Sequence, residues 1–402
     1  MNFEYPQKTL DLIEKVDQFI KKYLFPHEQK VYEFCKNNLW ENYPEMENWK
    51  EMAKEQGLWN LFLPKGYGDL SPGLSNLEYA PLAEKMGSLS FASEVFNCSP
   101  PDTGNMETIA KYGTENQKEQ WLKPIMNGEI RSAFLMTEPA VASSDATNIQ
   151  TSIARDGDHY VINGRKWWSS GAMNPNCKVY ILMGKTDFSA QKHAQQSMII
   201  VPANTPGVKI LRPMQVFGSV DSPEGHAEIE LKDVRVPVSN ILLGEGRGFE
   251  IAQGRLGPGR IHHCMRLIGA AQRSLDLMCK RTNQRTAFGR NLIKFSSIRQ
   301  EIAKSECEVQ QARLLTLAAA DKIDKFGAKK AKNLIAMIKI TVPKMACDVI
   351  DRAIQIHGGM GVSQDTPLAG FYVYARCIRL ADGPDEVHMF QLGKNLAKEH
   401  EV

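Results

Sequence analysis

Three long segments with few glycines or prolines constrain the fold of this chain more than any other feature. They cover residues 266–281, 296–325 and 328–357, and in each the apolar side chains recur every three or four residues. That spacing is typical of amphipathic helices, whose apolar faces have to be buried against other elements. We therefore predict a bundle of four or more helices that begins near Gly248 and runs almost to the C-terminus.

The middle of the chain has a different pattern, that of short strands separated by turns. The strand-like runs are 160–162, 178–183, 197–201 and 226–236. In the last run apolar and polar residues alternate, which is typical of a half-buried antiparallel strand. Ala227, Ile229 and Leu231 are expected to face the core, and Glu228 and Glu230 to face solvent.

The residues before this β region again show helical spacing, so the order along the chain is helical, β, helical. A chain of 402 residues is longer than one hydrophobic core usually organises. We predict an α+β fold, mainly α, with an N-terminal helical domain (1–128), a middle antiparallel β domain (129–245) and a C-terminal helical bundle (246–402). The order of the domains does not by itself identify a function.

Charge and composition argue against several classes of function. The chain has 49 lysines and arginines against 46 acidic residues, so its net charge of +3 gives no reason to expect a nucleic-acid partner. We expect no membrane span, because no apolar run is long enough, and the N-terminal residues resemble neither a signal peptide nor a transit peptide. The eight cysteines are scattered without metal-like spacing, which favours a cytoplasmic protein with reduced thiols and no metal site.

The segment 133–145 has the composition of a ligand-binding turn. Its apolar half, residues 134–136, can form a strand, and the residues that follow are mostly small or carry hydroxyls. Thr137 offers a hydroxyl and an N–H at the end of the strand, and Ser143 and Ser144 offer donors suited to phosphate oxygens. The alternative is an ordinary strand that runs into a polar turn.

A second segment combines aromatic rings with hydroxyls. Trp167 and Trp168 follow an Asn-Gly turn and precede Ser169 and Ser170. If these residues lie on a strand, one tryptophan ring is expected on each side of the sheet. A flat apolar wall beside hydroxyl donors suits a planar ligand, but core packing explains two adjacent tryptophans equally well.

Two further segments lie in the C-terminal region. Arg285, Phe288 and Gly289 are expected within the last turn of a helix and its exit, where a solvated helix end is the alternative. The glycines of 355–361 follow a long helix, and their N–H groups can cradle a pyrophosphate, although glycine commonly ends helices.

Residues 380–388, LADGPDEVH, are expected to form an acidic turn. Asp382, Asp385 and Glu386 surround a Gly-Pro pair. An exposed acidic turn is the simple interpretation, and a general base for proton abstraction is the functional one.

Together these segments resemble the acyl-CoA dehydrogenases, a family of flavoenzymes, over essentially the whole chain. The branch that they resemble contains the dehydrogenase domains of the tenth and eleventh members of the vertebrate family and their stand-alone bacterial relatives. Relatives of this branch commonly have an acid where this chain has Ala140. The strings that carry the resemblance are MTEP at 136–139, ASSDATN at 142–148, KWWSSG at 166–171, GEGRGFE at 244–250, QGRLGPGRIHHCMR at 253–266 and LADGPDEVH at 380–388.

The resemblance implies bound FAD and a set of contacts with FAD and with an acyl-CoA substrate. Cofactor contacts from the same chain would be Phe134, Leu135, Met136, Thr137, Ser144, Trp168, Ser169 and Ser170. Cofactor contacts from a second subunit would be Arg285, Phe288, Gln355 and Gly359, which requires a homodimer or a homotetramer. Glu386 would be a further cofactor contact, and the substrate contacts would be Ser144, Arg260 and Gly383.

The resemblance also implies a catalytic base, which most of the family carries as a glutamate directly before a glycine in the acidic turn. The matching residue here is Asp382, which is one methylene shorter. Some relatives carry the base on an earlier helix, immediately before an arginine. In this chain that position is Gly259, before Arg260, and glycine cannot act as a base. Arg260 would lower the pKa of the Asp382 carboxyl and burial would raise it, and the balance between the two is left open.

In the implied reaction, Asp382 removes the α-proton of an acyl-CoA while the β-hydride goes to the flavin, giving a trans-2-enoyl-CoA, as in fatty acid β-oxidation. Electron-transferring flavoprotein would reoxidise the flavin. The alternative is a flavin-dependent elimination or isomerisation of a 4-phosphoacyl-CoA in 4-hydroxy acid catabolism, which also begins with removal of an α-proton. A third hypothesis is a helical scaffold that has lost its flavin. The length, branching and 4-substituent of the acyl chain are left open.

Overall fold

The computed structural model describes residues 4–400, except for the side chains of residues 256–258, so Gly257 and Pro258 of the GPGR string lie outside that description. The α-helices in the described chain are α1 (Gln7–Phe19), α2 (Glu28–Asn37), α3 (Met46–Glu55), α4 (Asn76–Gly87), α5 (Ala92–Val95), α6 (Asp102–Tyr112), α7 (Glu115–Gln117), α8 (Lys123–Asn127), α9 (Gly248–Gln284), α10 (Ser296–Phe326), α11 (Ala328–His357), α12 (Leu368–Ile378) and α13 (Asp385–Lys398). The strands are β1 (Arg131–Leu135), β2 (Ser152–Asp156), β3 (His159–Ser170), β4 (Cys177–Lys185), β5 (Gln196–Pro202), β6 (Val208–Pro213), β7 (His226–Pro237), β8 (Thr286–Ala287) and β9 (Arg290–Asn291).

The helical, β, helical order confirms the predicted fold class, α+β and mainly α. The segments predicted as 296–325 and 328–357 are α10 and α11, and the segment 266–281 lies within α9. Contacts divide the described chain into two compact units, one of residues 4–29, 72–94 and 257–400, the other of residues 30–71 and 95–256. The domain bounds at 128/129 and 245/246 remain predictions, since this division does not follow them.

The second unit contains a seven-stranded sheet in the order β1-β4-β2-β3-β7-β6, and β5 also pairs with β4. Strands β1 and β2 run parallel to β4, and the other pairs are antiparallel. The sheet is therefore mixed and not wholly antiparallel as predicted. The hairpin of β2 and β3 separates β1 from β4 in sequence, and a parallel pair requires such a long connection.

Strand β7 follows the predicted alternation except at Glu228. Ala227 and Ile229 are fully buried as expected, but Glu228 is only 2% exposed. Its carboxylate accepts hydrogen bonds from Arg212 Nε at 2.6 Å and Arg165 Nε at 2.8 Å. These bonds, that of Arg212 first, hold the pKa of Glu228 below its ordinary value. The prediction that Glu228 faces solvent was wrong because two arginines from neighbouring strands cover it.

The first unit is helical, and its helices pack closely where glycine removes a side chain. Helix α11 packs against α10, α12 and α13, and α4 packs against α1 and α10. A Cβ on Gly269 of α9 would lie 1.9 Å from the carbonyl oxygen of Glu84 on α4, and one on Gly87 would lie 2.0 Å from that of Arg266. Among the described residues, no helix has the length and apolar character needed to cross a membrane.

Candidate functional site

The end of β1 is fastened to β3 by two hydrogen bonds. The Thr137 hydroxyl donates to the Trp167 carbonyl at 2.7 Å, and the Trp167 N–H donates to the Thr137 carbonyl at 3.1 Å. Because the hydroxyl proton of Thr137 is used inside the protein, a contact from Thr137 to a ligand has to come from its N–H or from the oxygen lone pairs.

A buried ion pair that the sequence analysis missed holds the same segment. Lys166 Nζ, on a fully buried side chain, donates to the Met136 carbonyl at 2.9 Å, to the Met183 carbonyl at 2.7 Å and to Glu138 Oε1 at 2.8 Å. Burial lowers the pKa of Lys166 to about 8. Burial alone would raise the pKa of Glu138, but the charge of Lys166 and hydrogen bonds such as that from Thr151 hold it below its ordinary value. The feature of the sequence that could have revealed this ion pair is a charged residue at a position of β3 where the side chain faces inward.

The predicted arrangement of the two tryptophans was wrong. The register of β3 shifts between Lys166 and Ser169, and Trp168 adopts the left-handed conformation with φ +52°. This bulge interrupts the alternation of side chains. The rings of Trp167 and Trp168 lie side by side, with centroids 6.3 Å apart, and Trp168 is 40% exposed. Trp168 thus presents an aromatic surface to solvent.

Ser170 lies beside this ring and contacts a histidine that the sequence analysis missed. It is the cross-strand partner of His226, and its Oγ is 2.8 Å from His226 Nδ1. On the other side of the imidazole, Nε2 is 3.2 Å from Asp221 Oδ2. The His226 ring lies 5.8 Å from that of Trp168. Only the register of β3 against β7 brings these residues together, so sequence spacing gave no signal.

The remaining predicted cofactor residues of this unit differ in exposure. Phe134 and Met136 are partly exposed and Ser144 is exposed. Leu135 and Ser169 are fully buried, so a ligand contact from either has to come from its backbone. Ser143 is committed within the turn, because its hydroxyl accepts a hydrogen bond from the Glu138 N–H at 2.9 Å.

In the helical unit, the acidic turn between α12 and α13 presents Asp382. The backbone of Asp382 adopts the left-handed conformation, with φ +56°, and its side chain is 20% exposed. Its carbonyl accepts a hydrogen bond from Arg260 Nε at 2.9 Å, and its Oδ2 lies 3.5 Å from His263 Nε2. A Cβ on Gly259 would lie 3.3 Å from the same Oδ2. The two positions that the resemblance assigns to a base, 382 and 259, therefore lie next to each other in this unit.

Two buried groups fix the backbone of this turn. Lys339 Nζ donates to the carbonyls of Ile378 at 2.5 Å and Ala381 at 2.7 Å, and burial lowers the pKa of Lys339. His388 Nε2 lies 3.3 Å from the Asp382 carbonyl, and burial lowers the pKa of His388 to about 4. The His388 ring also packs under Gly383, where a Cβ would lie 2.8 Å from Nε2.

The other carboxylates of the turn have different surroundings. Asp385 is 5% exposed and pairs with Arg379 Nε at 2.7 Å. Glu386 is exposed in the first turn of α13. Of the three carboxylates, Asp382 combines partial burial with a fixed backbone.

The predicted second-subunit contacts are exposed. Arg285 directly follows the end of α9, where its N–H donates to the Arg281 carbonyl at 2.9 Å, as predicted. Phe288 does not lie at the helix end, because β8 and β9 form a hairpin around it. Phe288 and Gly289 occupy its turn with φ of +50° and +77°, as a two-residue hairpin turn requires. Phe288 is 96% exposed. Gln355 and Gly359 are exposed at the C-terminal end of α11 and in the 3₁₀ turn that follows.

Comparison with known protein families covers nearly the whole chain. Models of the N-terminal, middle and C-terminal domains of acyl-CoA dehydrogenase match residues 6–129, 133–234 and 246–397. The chain belongs to the acyl-CoA dehydrogenase family. It is 54% identical to acyl-CoA dehydrogenase family member 11 of Gallus gallus over 98% of this chain and 51% of that protein. It is also 52% identical to probable acyl-CoA dehydrogenase FadE2 of Mycobacterium tuberculosis, over 98% of this chain and 96% of that protein.

The fold agrees with this membership. A solved structure from Mycobacterium abscessus superposes with a TM-score of 0.96 at 47% identity, over 99% of this chain and all of that one. The chain spans about half the length of the vertebrate relatives that it matches, and nearly the full length of the mycobacterial ones.

Proposed function

We propose that the protein is an FAD-dependent acyl-CoA dehydrogenase in which Asp382 is the catalytic base. The observation that carries the proposal is the position of the Asp382 carboxylate. It lies next to the position that a Cβ on Gly259 would occupy, on a residue whose backbone is in the left-handed region. Hydrogen bonds from Arg260 and Lys339 hold the backbone of that turn. Family membership indicates the class of reaction. The turn contributes a carboxylate whose backbone is held in place by hydrogen bonds.

The residues of the sheet unit fit a flavin. Trp168 presents an exposed ring on a bulged strand, and the Ser170 hydroxyl lies beside it. A planar aromatic surface with an adjacent hydroxyl is what an isoalloxazine ring requires of a wall. Ser144, exposed on the turn after β1, is the proposed contact with the phosphates or the CoA.

When bound, FAD accepts the hydride from the β-carbon of the substrate. The chain's own contribution is proton removal, because Asp382 takes the α-proton, and a positioned base of this kind accelerates a reaction by roughly 10²–10⁴-fold. Arg260 is bonded to the Asp382 carbonyl and His263 lies near its carboxylate. We expect these two residues to orient the base. The space beside the Gly383 α-carbon is filled by the His388 ring, so a contact from Gly383 to the thioester would come from its backbone.

The exposed Phe288 hairpin, together with Gln355 and Gly359, suits contacts with FAD bound to a second subunit. Phe288 buries almost none of its surface within its own chain, and exposed aromatic rings commonly mark interfaces. The proposed assembly is a homodimer or homotetramer, with electron-transferring flavoprotein as electron acceptor, in cytoplasmic fatty acid β-oxidation.

The test is Asp382→Asn in flavin-loaded protein. Mixed anaerobically with an acyl-CoA, this variant is expected to bleach the flavin roughly 10²–10⁴-fold more slowly than the wild type, because it keeps the shape of the side chain but lacks the base. Asp365→Asn, on an exposed turn before α12, is the matched control and should react normally. A rate near that of the wild type in Asp382→Asn, with FAD bound, would refute the assignment. Attention would then move to Glu386 or Asp385.

One observation favours the second candidate function, elimination or isomerisation of a 4-phosphoacyl-CoA. Arg255 is 9% exposed, and its guanidinium stacks on Phe134 of β1 at 3.8 Å, with Nε 3.2 Å from Asn105 Oδ1. Burial raises the pKa of neighbouring Glu107 to about 8, against the charge of Arg255. A buried cation beside the proposed flavin strand suits an anionic substituent better than an alkyl chain.

This second function predicts phosphate release from a 4-phosphoacyl-CoA without an added electron acceptor. Arg255→Met should slow that release and leave turnover of an unsubstituted acyl-CoA of equal chain length unchanged. Equal effects of the substitution on both substrates would exclude Arg255 from recognition of the substituent.

A further inference from the structure

Two polar contacts of His226 determine which way the Ser170 hydroxyl points. Asp221 Oδ2 lies 3.2 Å from His226 Nε2 as an ion-pair contact, and a carboxylate oxygen at that distance favours a proton on Nε2 over a lone pair. A neutral imidazole has one proton, and Nδ1 is then an acceptor. At 2.8 Å from Nδ1, the Ser170 hydroxyl donates its own proton to the ring. With neutral His226, Ser170 therefore offers lone pairs to a ligand and no proton.

The direction reverses when His226 carries two protons. Nδ1–H then donates to Ser170 Oγ, and the hydroxyl proton turns toward the ligand side. One proton is gained at Nδ1 and exchanged with water, and no covalent bond between heavy atoms changes. A hydroxyl beside the flavin atom that would receive the hydride has to donate a hydrogen bond to that atom before the transfer and accept one from it afterwards. A neighbour with a fixed protonation state would allow the hydroxyl only one of these two hydrogen bonds.

We propose that His226, oriented by Asp221, is a positioning residue that sets the direction of the hydrogen bond between Ser170 and the flavin. The inference rests on the proposed placement of FAD beside Trp168 and Ser170. His226 touches no substrate in this proposal and acts through Ser170.

The surroundings of His226 leave Asp221 as the charge nearest to it. The His226 side chain is 20% exposed, and that of Asp221 is 65% exposed in the loop that leads into β7. Two further carboxylates on adjacent elements are engaged with arginines: Glu228 with Arg165 and Arg212, and Glu224 with Arg131. The pH response of the site should therefore depend mainly on the pair of His226 and Asp221.

The experiment measures the midpoint potential of the bound flavin against pH, together with ¹⁵N NMR of the histidine rings. In the wild type we expect Nε2 protonated and Nδ1 unprotonated on the neutral ring, and a change of slope in the potential at the pH where His226 titrates. His226→Asn keeps an amide near the Nδ1 position but does not titrate, so the change of slope should disappear. The dissociation constant of FAD should then differ from that of the wild type by about three- to tenfold on one side of the transition.

His159→Asn is the matched control, because His159 lies on β3 and also faces a carboxylate, with Nδ1 2.6 Å from Asp158 Oδ1. It should retain the wild-type pH profile. Asp221→Asn, on a largely exposed side chain, is the second variant. An asparagine amide can donate to Nε2 as well as accept from it, so part of the neutral His226 rings should carry their proton on Nδ1 in the ¹⁵N spectrum.

The possible outcomes separate this inference from the proposed function. Protein that binds no FAD refutes the proposed function. Normal FAD binding with an unchanged pH profile in His226→Asn overturns this inference alone, as does a neutral His226 ring with its proton on Nδ1.

Discussion

The closeness of the Gly259 position to the Asp382 carboxylate predicts that the proposed catalytic base can be moved to α9. The double variant Gly259→Glu/Asp382→Asn removes the base from the turn and introduces a carboxylate from the helix. Gly259 lies within α9, and a Cβ there would be 3.3 Å from Asp382 Oδ2. A glutamate at 259 extends two carbons beyond that Cβ, so its carboxylate can lie beside the side chain at position 382.

The expected magnitudes follow from that geometry. Asp382→Asn alone should cost roughly 10²–10⁴-fold in rate. Replacing a glycine within a helix gains about 0.5–1 kcal/mol, and the tight 3.3 Å contact between the new Cβ and the side chain at 382 opposes this gain. We expect the double variant to recover at least about tenfold of the lost rate, which corresponds to about 1.4 kcal/mol of barrier. With Asp382 retained, Gly259→Glu should instead shift the activity to higher pH, because two carboxylates about 4 Å apart repel by about 4 kcal/mol at an effective dielectric constant near 20.

The assay is anaerobic bleaching of the flavin by an acyl-CoA, with the release of α-deuterium from labelled substrate as a second readout for proton removal. Gly259→Gln/Asp382→Asn is the matched control, because glutamine has the shape of glutamate without its basicity. Equal rates in the glutamate and glutamine double variants, with FAD bound in both, would refute the reasoning that these two positions serve one reacting atom.

Three further predictions concern packing and charge. Gly269→Ala should lower the free energy of unfolding by about 1–3 kcal/mol in urea titrations, because its methyl group would meet backbone atoms of α4, whereas Gly393→Ala, with no neighbour within 4 Å on α13, should raise it by about 0.5–1 kcal/mol. Lys166→Met should lower the free energy of unfolding by about 3–5 kcal/mol, since it leaves a buried carboxylate without its cation, and should weaken FAD binding as measured by calorimetry. Lys178→Met, at an exposed position of β4, is the control and should change neither quantity. Burial raises the pKa of Glu107 in the folded protein to about 8. Glu107 therefore contributes stability that is present at low pH and lost as the pH rises through about 8. Glu107→Gln should reduce the difference between the unfolding free energies at about pH 5 and about pH 8.

Sequence spacing predicted the elements whose pattern is local. Helices α10 and α11 begin at the predicted residues because their apolar faces repeat without breakers. Strand β7 begins where its alternation does, at His226. The spacing could not predict that Glu228 is buried, since its burial depends on Arg165 and Arg212 from other strands. It also could not predict the parallel pairing of β1 with β4, because that pairing joins residues far apart in sequence.

The candidate site shows the same division between local and long-range information. The acidic turn and the aromatic strand were recognised from their residues, and Asp382 lies in a turn as expected. The left-handed conformation of Trp168 was not predicted, because a bulge depends on how two strands pair and not on composition. For the same reason His226 and Lys339 were missed, since each acts on residues that are distant in the chain.

The conformation of the acidic turn gives a physical reason for an aspartate at position 382. The donors that hold the turn, Arg260 and Lys339, bond to backbone carbonyls and not to the carboxylate. A shorter side chain therefore costs none of these bonds. At φ +56° the residue is left-handed, a conformation that aspartate and asparagine adopt more readily than most side chains because their short polar groups bond locally. The turn thus accepts aspartate at little conformational cost, and under the proposed function the α-carbon of the substrate would have to lie nearer to this shorter side chain.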